Sequence, residues 1–360
     1  MLLTLSKLNN GHNGLKLPIT WSKNNHGVYV QDKDGVEAAE CLQFVQSGLL
    51  TFLDTLHING LIDLHKIVWD WRRSFEETEQ EIAKKIETIC SSSRQATILT
   101  HSTGALLAWP TISRHPEFFS CWINAAGCLL KGNNLFLSDF DRGYMMGSLR
   151  MLSKEAFYTF PGLYCYFPIL GEEFGGTGES DLIDPDGKYY TPQEIDIHKV
   201  STWEEFKLGI FGWKSQVTAQ EREHLQHCLD TAKRFRQKIF LKGEDPHDSS
   251  FLDKDRNAYN HLKIICYGTD KLKSHSAFEI DTNNKTIDTS VSKLQASGDG
   301  TLFATNWQQV PGGLKREIVM AEDGSNHVSL VNDKKLRGVL LDNFFAGDEL
   351  KRASAESLLK

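Results

Sequence analysis

The stretch Ala96-Thr97-Ile98-Leu99-Thr100-His101-Ser102-Thr103-Gly104, running on into Ala105-Leu106-Leu107-Ala108-Trp109, decides how this chain is read. An apolar run is followed by a short polar turn and then by a helix-forming stretch. Strand, sharp turn with a central serine, then helix is a context that displays a nucleophilic hydroxyl. Such a turn favours small residues, because strand and helix backbones crowd together, and Gly104 meets that need on one side of the serine. On the other side stands Thr100, where glycine is the commonest residue. A plain strand-to-helix connection is the competing reading.

The neighbouring segments extend an alternating pattern. Glu37 to Leu56 places Cys41, Leu42, Val45, Leu49, Phe52, Leu53 and Leu56 at helical spacing and stops at Asn59-Gly60. Ile62 to Trp69 is short and apolar enough for a buried strand. Glu76 to Cys90 predicts a charged helix with Ile82, Ile86 and Ile89 on one face. Trp122 to Gly127, Leu262 to Tyr267 and Arg316 to Met320 are further strand candidates, and Val328 to Phe345 closes as an amphipathic helix. Alternating helices and strands imply a mainly parallel sheet, hence an α/β protein. The rhythm breaks between Gly132 and Asn257, where aromatic residues are dense: Phe157, Tyr158, Phe160, Tyr164, Tyr166 and Phe167 fall within one short stretch. The expected organisation is a core over 1–131, an inserted cap over 132–257, and the rest of the core over 258–360.

With 360 residues, the chain suits one large domain with an insertion, or two domains. Its net charge is −7 and both signs are well mixed, without a Lys/Arg-rich block, so no nucleic-acid partner is expected. No apolar run is long enough to span a bilayer, and Met1 to Leu8 lacks the layout of a signal peptide. The seven cysteines are scattered without a CxxC pair, which favours reduced thiols and a cytoplasmic location. His198, His224, His227 and His247 have no carboxylate or cysteine at metal-ligand spacing, so neither a metal nor another cofactor is expected.

A serine hydroxyl needs a base, and the base needs an acid that holds its tautomer. In α/β-hydrolases the chain order is serine, acid, histidine. His327 follows the last strand candidate and the loop Ala321-Glu322-Asp323-Gly324-Ser325-Asn326, and so fits the base. Two acids compete. Asp270 lies directly after a strand, and Asp299 lies between glycines in Ser297-Gly298-Asp299-Gly300-Thr301. Position alone leaves them level. Asp70 and Arg72 read as an ion pair ending a strand, or as a functional pair near the site.

Several stretches, taken in order, carry a resemblance. They are Trp69-Asp70-Trp71-Arg72, His101-Ser102-Thr103-Gly104, Phe160-Pro161 through Phe167-Pro168, Ile195-Asp196-Ile197 with Thr202-Trp203, Gly298-Asp299-Gly300-Thr301, and His327. Together they resemble the lecithin:cholesterol acyltransferase-like lipases, a family that includes lysosomal-type phospholipase A2 and phospholipid:diacylglycerol acyltransferases. The resemblance implies an α/β-hydrolase core with an aromatic-rich cap. It implies Ser102 as nucleophile, Asp299 as acid and His327 as base, which separates Asp299 from Asp270. The Thr103 amide would be one oxyanion donor. The substrate implied is a lipid ester, phospholipid or neutral, reached by peripheral membrane contact. Phe160, Tyr164 and Phe167 would line an acyl-chain pocket or simply pack the cap.

The chain departs from the family in three places. Ser6-Lys7-Leu8 resembles the tail of the family's glycine-rich oxyanion turn. That alignment puts Leu3 at the donor position, removes the glycines and leaves no preceding strand. Thr100 replaces glycine at the elbow. The disulfides and signal peptide of secreted relatives are not evident. These departures motivate the alternative expectation of a catalytically impaired relative that binds lipid or protein.

Overall fold

The computed structural model describes residues 16–24, 29–32, 43–90, 95–129, 137–143, 145–146, 149–150, 152–167, 182–183, 190, 194–240 and 256–358. It is a mixed α/β structure built on a parallel sheet flanked by helices. The sheet strands are β1 (Ala96–His101), β2 (Phe119–Ala125), β3 (Lys263–Gly268) and β4 (Glu317–Met320), in the spatial order β4-β3-β2-β1. All three pairings are parallel. Among the described residues β1, the strand that leads to Ser102, is hydrogen-bonded to β2 alone.

Alternation along β2 explains the layers. Cys121, Ile123 and Ala125 point to one face and pack with helices α1 (Gln43–Ile58), α5 (Lys334–Phe344) and α6 (Glu349–Leu358). Trp122 points to the other face and packs with α2 (Phe75–Cys90) and α3 (Thr103–Arg114). Strands buried on both faces in this way read as near-continuous apolar runs. In α2, Ile82 and Ile86 are buried, as the helical spacing requires.

Two expectations need correction. Ile62 to Trp69 is not a strand. Its side chains are at most half-buried and it pairs with no strand among the described residues; Ile62 and Leu64 pack against the same core as Leu99, while Ile67 packs on the opposite layer. An apolar pattern is satisfied by such packing without strand pairing. Second, the closing segment is not one helix from Val328. A short 3-10 turn at Leu330–Asn332 precedes α5. In the chain, an antiparallel ribbon of Leu272–Asp281 and Thr286–Gly298 runs between β3 and β4. Its turn is held by the Asp281 carboxylate, which accepts from the Asn283 and Asn284 amides at 2.9 Å each.

Inside 137–240, Phe140, Phe157, Tyr164, Phe167 and Trp203 form one aromatic cluster, with Phe140 at 4.5 Å from Tyr164 and 5.2 Å from Trp203 between ring centres. Helix α4 (Ala219–Phe240) packs on it. The N-terminal hairpin of Trp21–Lys23 and Tyr29–Gln31 also docks here, not on the sheet. Trp21 Nε1 donates to His224 Nδ1 at 2.9 Å, and the Leu17 amide donates to Thr159 Oγ1 at 3.0 Å. The first described residues therefore belong by contact with the aromatic segment, although the 1–131 boundary groups them with the core.

Candidate active site

Ser102 sits between the last residue of β1 and the first of α3, with φ +52° and ψ −122°. A side chain at positive φ costs energy, of order 1–3 kcal/mol, and such strain persists only where surrounding structure holds it. Here the Ser102 amide donates to the Ala125 carbonyl at 3.1 Å, and the Ser102 carbonyl accepts from Ala105 at 3.1 Å and from Cys128 at 3.3 Å. Thr100 is buried, and its hydroxyl accepts from the Trp122 indole at 2.9 Å. That bond gives the threonine a structural role at a position where glycine is commoner.

The steric expectation at Gly104 is corrected. A methyl there would find the Trp69 ring at 3.6 Å and Thr100 Cβ at 3.8 Å, both ordinary contacts. The crowding lies at Gly127, behind the elbow. A methyl there would come within 1.9 Å of Asn124 Oδ1 and 2.6 Å of Ala105 Cβ.

The three expected residues meet. His327 Nε2 lies 2.9 Å from Ser102 Oγ, and His327 Nδ1 lies 2.7 Å from Asp299 Oδ2. A carboxylate accepts only, so Nδ1 carries the proton and Nε2 is left to accept from the serine. Asp299 is wholly buried and both its oxygens are used: Oδ1 accepts from the Thr301 and Leu302 amides at 2.9 and 2.7 Å. The His327 amide donates to the Asp299 carbonyl at 2.9 Å, a second tie between acid and base. Gly298 and Gly300 make this turn possible. Gly300 has φ +89°, and a methyl on Gly298 would lie 2.1 Å from the Leu302 carbonyl oxygen. Asp270 plays no part in this contact. It is half-exposed, and its carbonyl accepts from the Ser297 hydroxyl.

The loop that carries His327 is fixed at both ends. Asp333 accepts from Tyr267 OH at 2.8 Å, from the Glu322 amide at 3.0 Å and from Ser325 Oγ at 2.7 Å. Asn326 Oδ1 accepts from the amides of Val328 and Ser329. Beside it, His101 Nε2 donates to the His327 carbonyl at 2.9 Å, and the two rings lie 5.2 Å apart. Burial, and then the neighbouring His327, push His101 down to about 4, so it is neutral near pH 7. No feature of the sequence beyond adjacency to Ser102 marks His101 for this role.

The other predicted residues fall in three groups. Thr103 opens α3, and its amide has no acceptor among the described residues; the first amides of a helix have none within it. Leu3 lies outside the described residues. Phe160, Tyr164 and Phe167 are fully enclosed, and Tyr164 OH donates to the Tyr158 carbonyl at 2.9 Å. Their contacts are those of a packed core, the second of the two roles open to them. The residue of that stretch that does reach the elbow is Tyr166. Its hydroxyl is hydrogen-bonded to the Thr103 hydroxyl.

Asp70 and Arg72 form a close bidentate pair, with Arg72 Nη2 2.6 Å from Asp70 Oδ2 and Nε 2.9 Å from Oδ1. Arg72 is 2% exposed, so the pair holds a buried corner and does not end a strand. His198 and His224 are also buried, and burial lowers both; His247 lies outside the described residues. Among the described residues no group of histidine, cysteine and carboxylate side chains is placed to hold a metal. The described cysteines are buried free thiols. A shallow pocket of about 160 Å³ lies between Tyr190, Thr202, Phe206 and Lys285 and includes none of the residues around Ser102. No helix among the described residues is long and apolar enough to cross a membrane. No protein-family model matches the chain, and no curated protein matches it.

Proposed function

We propose that this chain is a serine-dependent acyl-transfer enzyme of the α/β-hydrolase type, with residues 132–257 as its cap, acting on a lipid ester. The observation that carries the reading is Ser102 at positive φ with its hydroxyl 2.9 Å from a histidine whose other nitrogen is bound to a buried carboxylate. Hydrogen-bond reach between nucleophile and base, with the base oriented by a third group, is the first requirement of such chemistry.

In this mechanism Ser102 Oγ attacks the ester carbonyl carbon while its proton moves to His327 Nε2. Asp299 stabilises the imidazolium that forms and stays ionised itself. The Thr103 amide donates to the developing oxyanion. Collapse expels the alcohol, which takes the proton from His327 and leaves an acyl group on Ser102. Water or a second alcohol, deprotonated by His327, then takes the acyl group. The lipid class of the ester and a peripheral encounter with membrane rest on the likeness to lecithin:cholesterol acyltransferase-like lipases.

The test is labelling by a fluorophosphonate probe. The wild-type chain is expected to label at Ser102, and Ser102→Ala to lose the label. A folded wild-type chain that takes no label would overturn the proposal in favour of a binding module.

A further inference from the structure

The geometry points to Tyr166 as a side-chain oxyanion donor that works beside the Thr103 amide. This rests on the proposed acyl transfer at Ser102 and adds a catalytic residue to it. The tetrahedral intermediate is stabilised by donors aimed at the oxygen where its charge develops, and those donors are effective when they are positioned before the reaction. One is at hand in the peptide that follows the nucleophile. Tyr166 lies 63 residues further along, yet its hydroxyl is bonded to the side chain of Thr103, the residue that supplies that amide.

Placement of Tyr166 is enforced from several directions. Its ring stands edge-on to Phe75, with centres 5.8 Å apart. The preceding carbonyl, that of Cys165, accepts from the buried Arg236 at 3.1 Å. Four residues earlier, Gly162 presses against the Trp71–Phe75 corner so closely that a methyl would lie 2.6 Å from the Arg73 carbonyl oxygen and 2.7 Å from that of Trp71. The bidentate Asp70–Arg72 pair braces the same corner. Tyr158, Tyr164 and Phe167 of this stretch are wholly enclosed, whereas Tyr166 keeps partial exposure beside the elbow.

In the resting protein the Tyr166 and Thr103 hydroxyls share one hydrogen bond, in which either can donate. When Ser102 Oγ bonds to the carbonyl carbon, the π pair moves onto the carbonyl oxygen and the serine proton goes to His327. The oxyanion is a stronger acceptor than the Thr103 hydroxyl. Tyr166 O–H turns to it and keeps its own proton throughout. Collapse of the intermediate returns the hydroxyl to Thr103.

The test compares wild type and Tyr166→Phe on p-nitrophenyl butyrate and on its thiono analogue, whose C=S accepts hydrogen bonds poorly. Loss of one oxyanion donor predicts kcat lower by about 100-fold on the oxygen ester, with KM nearly unchanged. The oxygen-to-sulfur rate ratio is expected to fall by about tenfold or more in the variant. That ratio is read within the folded fraction, so reduced folding of the variant does not affect it, and a purely structural tyrosine would leave it unchanged. Equal kcat in the two proteins, or a lower kcat with an unchanged ratio, would overturn the assignment while fluorophosphonate labelling of Ser102 still stood. Absence of both labelling and turnover in wild type would overturn the donor role together with the acyl-transfer reading.

Discussion

The two flanks of Ser102 are built differently. On the acid–base flank, both ring nitrogens of His327 and both carboxylate oxygens of Asp299 have partners, and the loops that carry them are tied down by Asp333 and Asn326. On the opposite flank, β1 has a strand neighbour on one side only among the described residues, and the Thr103 amide has no acceptor. The first flank is made from residues close together in the chain. The second is assembled from a corner near Arg72 and a tyrosine far along. The residues that would move a proton are thus tied together on one flank, while the proposed donors to developing charge, the Thr103 amide and Tyr166, meet only across a long stretch of chain.

The largest expected effect breaks the comparison at its better-built side. Asp299→Asn should lower kcat for ester hydrolysis by about 10⁴-fold, because an amide stabilises the wrong tautomer of His327 and cannot balance its charge. Asp270→Asn should stay within about twofold of wild type. Steady-state kinetics on both variants checks this, and the reverse ranking would exchange the two acids.

Much of the acid–base flank is legible in the sequence. Its strands are apolar runs, its acid sits in a glycine-bounded turn, and its histidine follows the last strand. Position leaves Asp270, directly after a strand, level with Asp299, between two glycines; the family resemblance favours Asp299, and the fold places its carboxylate on His327. The ribbon before Asp299 is hard to read from sequence, although Asp281-Thr282-Asn283-Asn284-Lys285 is rich in turn residues, because its flanking strands are too polar to suggest burial. The other flank is nearly silent. Ile62 to Trp69 has the apolar content of a strand, but pairing is not encoded in apolar content. Nothing local distinguishes Tyr166 from its aromatic neighbours. Its role comes from a contact across 63 residues.

A second pair of variants sharpens the comparison from behind the elbow. Gly127→Ala should destabilise the protein by about 2 kcal/mol or more, since the added methyl collides with Asn124 and Ala105 in packed surroundings. Gly104→Ala should be neutral or stabilising by up to about 1 kcal/mol, as alanine suits a helix better and finds only ordinary contacts. Urea unfolding of both variants measures the difference. A large loss at Gly104 would show that the oxyanion flank is packed as tightly as its counterpart.

The effect that is smallest near neutral pH, and grows only on acidification, is one of protonation. Burial lowers His224 to about 3, first by desolvation. Between roughly pH 6.5 and 3 the unfolded chain binds a proton there that the folded chain does not. Stability contributed by the neutral ring is therefore complete above pH 6.5 and is lost as pH falls, by at most about 1.4 kcal/mol per unit. His101, lowered to about 4, acts in the same direction, and Asp139, raised to about 6 by burial, opposes them between about 3.8 and 6. Unfolding free energies of wild type and His224→Gln across this range isolate the first contribution. A variant with an unchanged slope would show that burial does not hold the His224 ring neutral.

The spacing of the triad along the chain bears on the order in which the molecule is made. His327 and Asp299 are 28 residues apart, whereas His327 and Ser102 are 225 apart. Closing the longer loop costs about 2 kcal/mol more in chain entropy. The strand-turn-helix around Ser102 and the acid–histidine pair are each local enough to form early, but their meeting is the most non-local event in the active site, and non-local contacts slow folding. During refolding, helical signal should return first and, on the proposed acyl transfer, esterase activity last, so that a newly folding chain completes the surroundings of Ser102 and the Asp299–His327 pair separately before the two meet.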